Sequence, residues 1–279
     1  MSKAGVLSIL FVVMLFAIDV IAEAQQPTKV PRIGYLSLAA KPSPRDEAFV
    51  QGLRELGWVN GRNITIEYFW AANKAENLAA LADDLVGLKV DLIVAQATPA
   101  VQAAKNATKT IPIVMGPNAD PVGMGFVASL ARPGGNITGM SSIMPELASK
   151  RLGLLRELLP KLSRVAFLAY GPDPAHLLFV KQAQDAAQSF KIRFQPLVLA
   201  GIEEIEGAFS AMKKEGVGAL IVQPLFSVLG QGPRVAELAL KNRLPTISDG
   251  PAFAEGGGLM FYGPDSLALY RRAATYVDK

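Results

Sequence analysis

The chain has 279 residues, 51% of them apolar and 19% charged, with a net charge of +4 and no cysteine. That length gives room for two domains, each with its own core. The absence of cysteine excludes disulfides, thiolate metal sites, cysteine nucleophiles and a lipid-bearing N-terminal Cys, and the scattered Lys and Arg form no basic run that would suit nucleic acid.

The first residues read as an export leader. Met1-Ser2-Lys3 is a short basic start, Val6 to Ile18 is an apolar stretch too short to span a bilayer, and Ala22-Glu23-Ala24 fits a cleavage site. Residues 1–24 are therefore expected to be removed, leaving Gln25 as the mature N-terminus of an exported protein.

Beyond a polar lead-in, short apolar runs alternate with amphipathic segments. Val30 to Ser37 reads as a strand, and Asp46 to Leu56 as a helix with Phe49, Val50, Leu53 and Leu56 on one face, closed by Gly57. Strands are expected at Asn63–Trp70, Asp91–Ala95 and Ile111–Met115, with helices at Asn77–Leu88 and Pro99–Thr108 between them. The same grammar resumes with a helix in Ile143–Leu159, a strand at Arg164–Tyr170 and a helix at Ala175–Phe190. Phe194–Leu199, Ala219–Val222, Leu244–Ser248 and Gly258–Tyr262 read as further strands, separated by helices at Glu203–Lys214 and Val235–Lys241, with a last helix from Ser266 onward.

This alternation predicts an α/β protein with parallel sheets flanked by helices. Asp91-Leu-Ile-Val-Ala with Ile111-Pro-Ile-Val-Met is echoed by Ala219-Leu-Ile-Val-Gln with Leu244-Pro-Thr-Ile-Ser, so two Rossmann-like lobes of similar topology are expected. The boundaries fall at 30–138 for the first lobe and 139–262 for the second, with 263–279 a helix returning toward the first. Arg132-Pro-Gly-Gly-Asn-Ile-Thr-Gly139 lies between the halves and reads either as a hinge or as an ordinary loop.

Ligands of open parallel sheets sit outside the carboxyl ends of the strands. The residues there are Ser37, Gln96, Ala97, Thr98, Asn118 and Asp120 in the first half, and Tyr170, Gln223, Phe226 and Asp249 in the second. Thr98-Pro99 suits a helix start, whose free N–H groups favour a carboxylate; a plain cap is the alternative. Asp120 or Asp249 would pair with an ammonium group, or stand as a solvated loop carboxylate. Tyr170 and Phe226 would flank an apolar ligand, or simply pack. Enzyme signatures are missing: His176 is the only histidine, and no nucleophile elbow, zinc-protease helix, P-loop or dinucleotide fingerprint is present. No catalytic residue, metal or cofactor is expected.

Several segments occur in a familiar order: Glu55-Leu-Gly-Trp-Val-Asn-Gly-Arg-Asn63, Asp91-Leu-Ile-Val-Ala, Thr98-Pro99, Asp120-Pro-Val-Gly123, Arg132 to Gly139, and Gly257-Gly-Leu-Met-Phe-Tyr-Gly-Pro-Asp265. Together they resemble the ABC-transporter substrate-binding family that includes tryptophan- and tyrosine-binding proteins. The resemblance implies a type I periplasmic-binding-protein fold, with two lobes joined by a hinge. A small organic solute is held between them, an amino acid, with an aromatic one as the first candidate. It implies a solute carboxylate on Ser37 and the Ala97-Thr98 segment, and an ammonium on Asp249. It also implies a periplasmic monomer and, as partner, an inner-membrane permease with its ATPase. The family pattern has glycine where this chain has Ala97, and its members continue past Lys279 with a final strand and helix. A sensor feeding a membrane receptor is the alternative role, and an exported α/β enzyme the remoter one.

Overall fold

The computed structural model describes residues 30–142 and 144–279. The leader and its cleavage point lie outside the described residues. Among the described residues no helix is long and apolar enough to cross a membrane.

The first sheet has five strands: β1 (Arg32–Ser37), β2 (Thr65–Trp70), β3 (Leu92–Gln96), β4 (Ile113–Ala119) and β5 (Ile137–Ser142), in the order β2-β1-β3-β4-β5. The second holds β6 (Arg164–Tyr170), β7 (Arg193–Leu199), β8 (Ala219–Val222), β9 (Thr246–Ser248) and β10 (Met260–Phe261), in the order β10-β9-β8-β6-β7. Every paired ladder is parallel. Read from β7, the second sheet repeats the strand order of the first. Each lobe therefore has one point where the winding reverses, between β1 and β3 and between β6 and β8, and a crevice opens there at the strand ends.

The helices follow from the apolar periodicity and cover both faces. Helix α1 (Pro44–Glu55) places Phe49 and Leu53 on Ile33, Tyr35, Val94 and Val114 of the first sheet. The opposite face, with Leu36, Ile93 and Met115, is covered by α2 (Asn77–Gly87) and α3 (Ala97–Ala107). In the second lobe α4 (Ala148–Leu158) and α5 (His176–Ser189) pack on Val165, Phe167 and Ile221. Helices α6 (Ile205–Lys214), α7 (Leu225–Val228) and α8 (Gly232–Lys241) take the other side, and α9 (Pro251–Glu255) packs on α8. Each leucine or isoleucine fully buried in this way contributes about 1.5–3 kcal/mol. One contiguous buried cluster runs from Leu36 and Ala95 in the first lobe to Tyr170 and Phe226 in the second.

The chain returns to the first lobe through α10 (Ser266–Ala273), which packs against α1 and β4. Gly52 makes this contact close: a Cβ there would collide with the Arg271 carbonyl.

The glycine-rich segment corrects one expectation. Arg132 to Asn136 form a loop, but Ile137 to Gly139 are neither loop nor hinge: they open the fifth strand of the first sheet, Ile137–Ser142, paired with β4. The first lobe's sheet therefore extends through Ser142, past the expected boundary at 138, and the crossing lies between β5 and α4. Gly139 explains why the motif misleads. It has φ +140, and a Cβ would strike the Met115 backbone, so the glycine serves a close strand approach. Beside it, β4 continues past an irregularity between Met115 and Asn118, and Asn118 then pairs with Ser141. Gly139→Ala should lower unfolding stability by about 2–3 kcal/mol, because overpacked backbone cannot yield as a side chain does. Urea denaturation checks this, and a loss under about 0.5 kcal/mol, the range of neutral substitutions, would count against the close approach.

Candidate functional site

The two switch points face each other across a cleft. Between them lies a cavity of about 80 Å³, walled by Arg45, Ala97 and Thr98 on one side and by Asp173, Leu225 and Asp249 on the other, with Tyr270 of α10 beside them. Ligand pockets for small organic molecules usually measure about 300–1,000 Å³, so the lobes must part to admit one. Two polar contacts already span the lobes. The Tyr170 hydroxyl donates to the Asn73 carbonyl at 3.3 Å, and Arg45 Nη2 lies 3.4 Å from Asp249 Oδ2.

The first-lobe wall is the start of α3. The chain leaves β3 at Gln96, turns through Ala97 at φ +67 and enters the helix with Thr98-Pro99. The turn points the helix's free N–H end at the cleft, where an anion is favoured. Behind it, Thr98 Oγ1 donates to Asn118 Oδ1 at 3.1 Å. The Asn118 Nδ2 and both amide atoms of Gln96 are buried without a hydrogen-bond partner, although each of these residues is only 1% exposed. An unmet buried amide costs about 1–3 kcal/mol and is retained where it serves something else.

Arg45 reaches the cleft from the first turn of α1, and that turn is pinned. Ser43 donates to Asp46 Oδ2 through its backbone N–H at 2.7 Å and its hydroxyl at 2.6 Å, while the buried Tyr35 hydroxyl donates to Asp46 Oδ1. Burial, then the Asp46 carboxylate, pushes the Tyr35 hydroxyl well above its ordinary pKa, so it remains a donor.

The second-lobe wall carries two carboxylates. Asp249 follows β9, and its Oδ1 accepts from Ser227 at 2.8 Å and Ser248 at 3.1 Å. Asp173 follows β6, and its oxygens accept from the Ala175 N–H at 3.0 Å and from Gln223 Nε2 at 2.6 Å. The Gln223 amide is fixed in turn, its Oε1 accepting from the Tyr170 N–H at 2.8 Å. Burial pushes the Asp173 carboxyl up to about 6, against the opposing pull of the Ala175 N–H, the His176 ring and Gln223.

Of the residues expected from strand ends, Ala97, Thr98 and Asp249 line the cavity. Asn118 stands behind Thr98, Gln96 beside it, and Gln223 behind Asp173. Tyr170 reaches across the lobes through its hydroxyl. Ser37 is buried at the end of β1 and accepts from the Ala39 N–H at 3.3 Å; Phe226 is fully buried, edge-on to Tyr170 at 6.4 Å, in the core rather than the cavity wall. Asp120 is exposed and closes a turn onto the Gly123 N–H at 2.8 Å, outside the cavity. Three polar lining residues stand outside the strand-end candidates named above: Arg45, Asp173 and Tyr270. Asp173 closes the Tyr170-Gly-Pro-Asp173 segment that the strand-end rule brings up, where Tyr170 is the candidate singled out, whereas Arg45 and Tyr270 come from helices to which that rule does not apply.

With this geometry in view, the sequence profile described as ABC transporter substrate binding protein matches residues 44–279. The chain belongs to the ABC transporter substrate-binding protein family. A curated tyrosine-binding protein of Clostridioides difficile (strain R20291) is 30% identical over 247 residues, 88% of this chain and 71% of that relative. The ABC domain in complex with L-Trp from Streptococcus pneumoniae superposes with a TM-score of 0.81 at 25% identity, covering 89% of this chain and 83% of that one. A substrate-binding protein with adhesive properties from Clostridium difficile, in its ligand-free open structure, gives a TM-score of 0.59 at 28% identity, covering 89% and 84%. Two α/β lobes around a solute cleft are the fold of this substrate-binding family, whose members bind small solutes outside the cytoplasm and work with ABC permeases.

Two outcomes test this description. Ala97→Gly should leave stability within about 0.5 kcal/mol of wild type, since relief of a left-handed φ offsets the lost methyl burial and the freer unfolded chain. Ala97→Val should cost about 2 kcal/mol or more, because a branched Cβ does not tolerate that φ; equal stability of the two variants would count against a strained turn. For Asp173 the pKa rises from 3.8 unfolded to about 6 folded, so its contribution to stability is full below about 3.8 and lost as the pH climbs through about 6. Relative to wild type, Asp173→Asn should gain up to about 3 kcal/mol between about pH 4 and pH 7, because each pH unit separating the folded and unfolded pKa is worth about 1.4 kcal/mol. Denaturant titrations at the two pH values give the difference, and a pH-independent gap would exclude buried ionisation.

Proposed function

We propose that this family member captures an amino acid between its lobes, an aromatic one in the first instance, and delivers it to an inner-membrane ABC permease. The observation that carries the reading is the cleft itself: an α3 start suited to a carboxylate on one wall and buried carboxylates suited to an ammonium on the other. A zwitterion matches both. The L-Trp ligand of the pneumococcal neighbour and the tyrosine binding named for the C. difficile relative support the choice of solute class. The protein works in the periplasm as a monomer after loss of its first 24 residues, and its task requires no covalent step.

Closure would follow from differential affinity, the solute binding the closed arrangement better than the open one. In a thermal-shift screen of the chain from Gln25 onward against the amino acids, a true solute should stabilise saturably. At about 100 times its Kd the gain is about 2.7 kcal/mol. A folded protein that no amino acid stabilises would remove the solute assignment and leave the family membership intact.

A further inference from the structure

The two carboxylates of the second-lobe wall are in different electrostatic states. Asp249 is already served: Ser227 and Ser248 donate to Oδ1, and Arg45 of the opposite lobe faces Oδ2 at 3.4 Å. Its side chain is 3% exposed and that of Arg45 15%, so the pair is sheltered from water. The buried Arg151, which donates to the Tyr262 carbonyl at 2.9 Å where the chain crosses back to the first lobe, adds a second positive charge acting on Asp249. Asp173 has only neutral hydrogen-bond donors, the Ala175 N–H and the Gln223 amide, with the His176 ring, bonded to the Asp173 carbonyl, as its titratable neighbour, and no Lys or Arg pairs with it among the described residues. It is 2% exposed and lines the same cavity. A buried carboxylate with neutral donors alone is stabilised by an incoming cation, whereas one already paired gains nothing unless its partner is expelled, leaving a sheltered guanidinium uncompensated.

We propose that Asp173 seats the cationic group of the solute, and that Arg45 with Asp249 forms a latch between the lobes which the solute does not displace. The inference rests on the reading of the cleft as an amino-acid site and assigns its polarity. The ammonium lies on the β6 side of the second lobe and the carboxylate at the start of α3. The raised pKa of Asp173 agrees with a site whose counter-charge arrives with the solute. The latch also gives the lobes a contact of their own: the protein supplies an arginine to one of the two acids and none to the other.

The test is calorimetric titration of the chain with L-tryptophan and L-tyrosine, each beside its des-amino propionate. Wild type should prefer the amino acid. Asp173→Asn should shrink that preference by about tenfold to a hundredfold, the worth of a hydrogen bond to a charged group, by weakening the amino acid alone. The double variant Arg45→Met, Asp249→Asn, neutral at both ends of the latch, should keep the wild-type preference while weakening amino acid and propionate together. Its solute-free form should show a larger radius of gyration by small-angle scattering. Loss of the preference in the double variant would overturn the assignment even if Asp173→Asn failed to fold. Equal wild-type affinity for amino acid and propionate would overturn the Asp173 seat alone; binding of neither would overturn the amino-acid reading and the seat with it.

Discussion

Parallel strand pairing is the constraint from which the rest follows. A parallel ladder forces every strand to be followed by a crossover, and the crossover returns the chain to the same starting edge. All carboxyl ends in a lobe therefore lie along one edge, and all helix starts with them. Polar residues dispersed over the chain, such as Gln96, Asn118, Tyr170, Gln223 and Asp249, are brought to two edges that face each other. The repeated strand order places a reversal of winding in each lobe, so each edge carries one crevice. The cleft is the meeting of two such crevices.

The cost of that arrangement is visible at the edge itself. The first lobe holds Ala97 at a left-handed φ and leaves the Gln96 and Asn118 amides without partners. The second buries Asp173 with neutral donors only. Each of these opposes folding, and the apolar layers behind them, from Ile33 and Tyr35 on one face to Leu36 and Ile93 on the other, supply the stability that tolerates it.

Crossing segments tie the lobes together where they approach. The first follows β5 and leads into α4, whose buried Arg151 grips the Tyr262 carbonyl of the second. Helix α10 then packs against α1, the helix that presents Arg45. Movement of one lobe against the other thus acts on the residues that pair across the cleft, which links lobe closure to the charges of the wall. That Asp46, Ser43 and Tyr35 pin the first turn of α1 means Arg45 is offered from a rigid support rather than from a loop.

The alternation of strands and helices, the two similar halves, the strand-end segments and, through the ordered motifs, the family are all legible in the amino-acid order. These rest on local signals: apolar periodicity, caps, and residues adjacent to strands. Ile137 to Gly139 read as loop from the same signals, because they follow directly on Pro133-Gly-Gly-Asn136, and Gly139 is legible only beside Met115. Ser37, Phe226 and Asp120 sit at strand ends by the same rule as Thr98, yet only packing decides which of them reaches a cavity. Folding alone brings Arg45 to Asp249, 204 positions apart, and leaves Asp173 with neutral donors. Pairing of charges is set by distance through space, and no periodicity along the chain encodes which of two aspartates a distant arginine will meet.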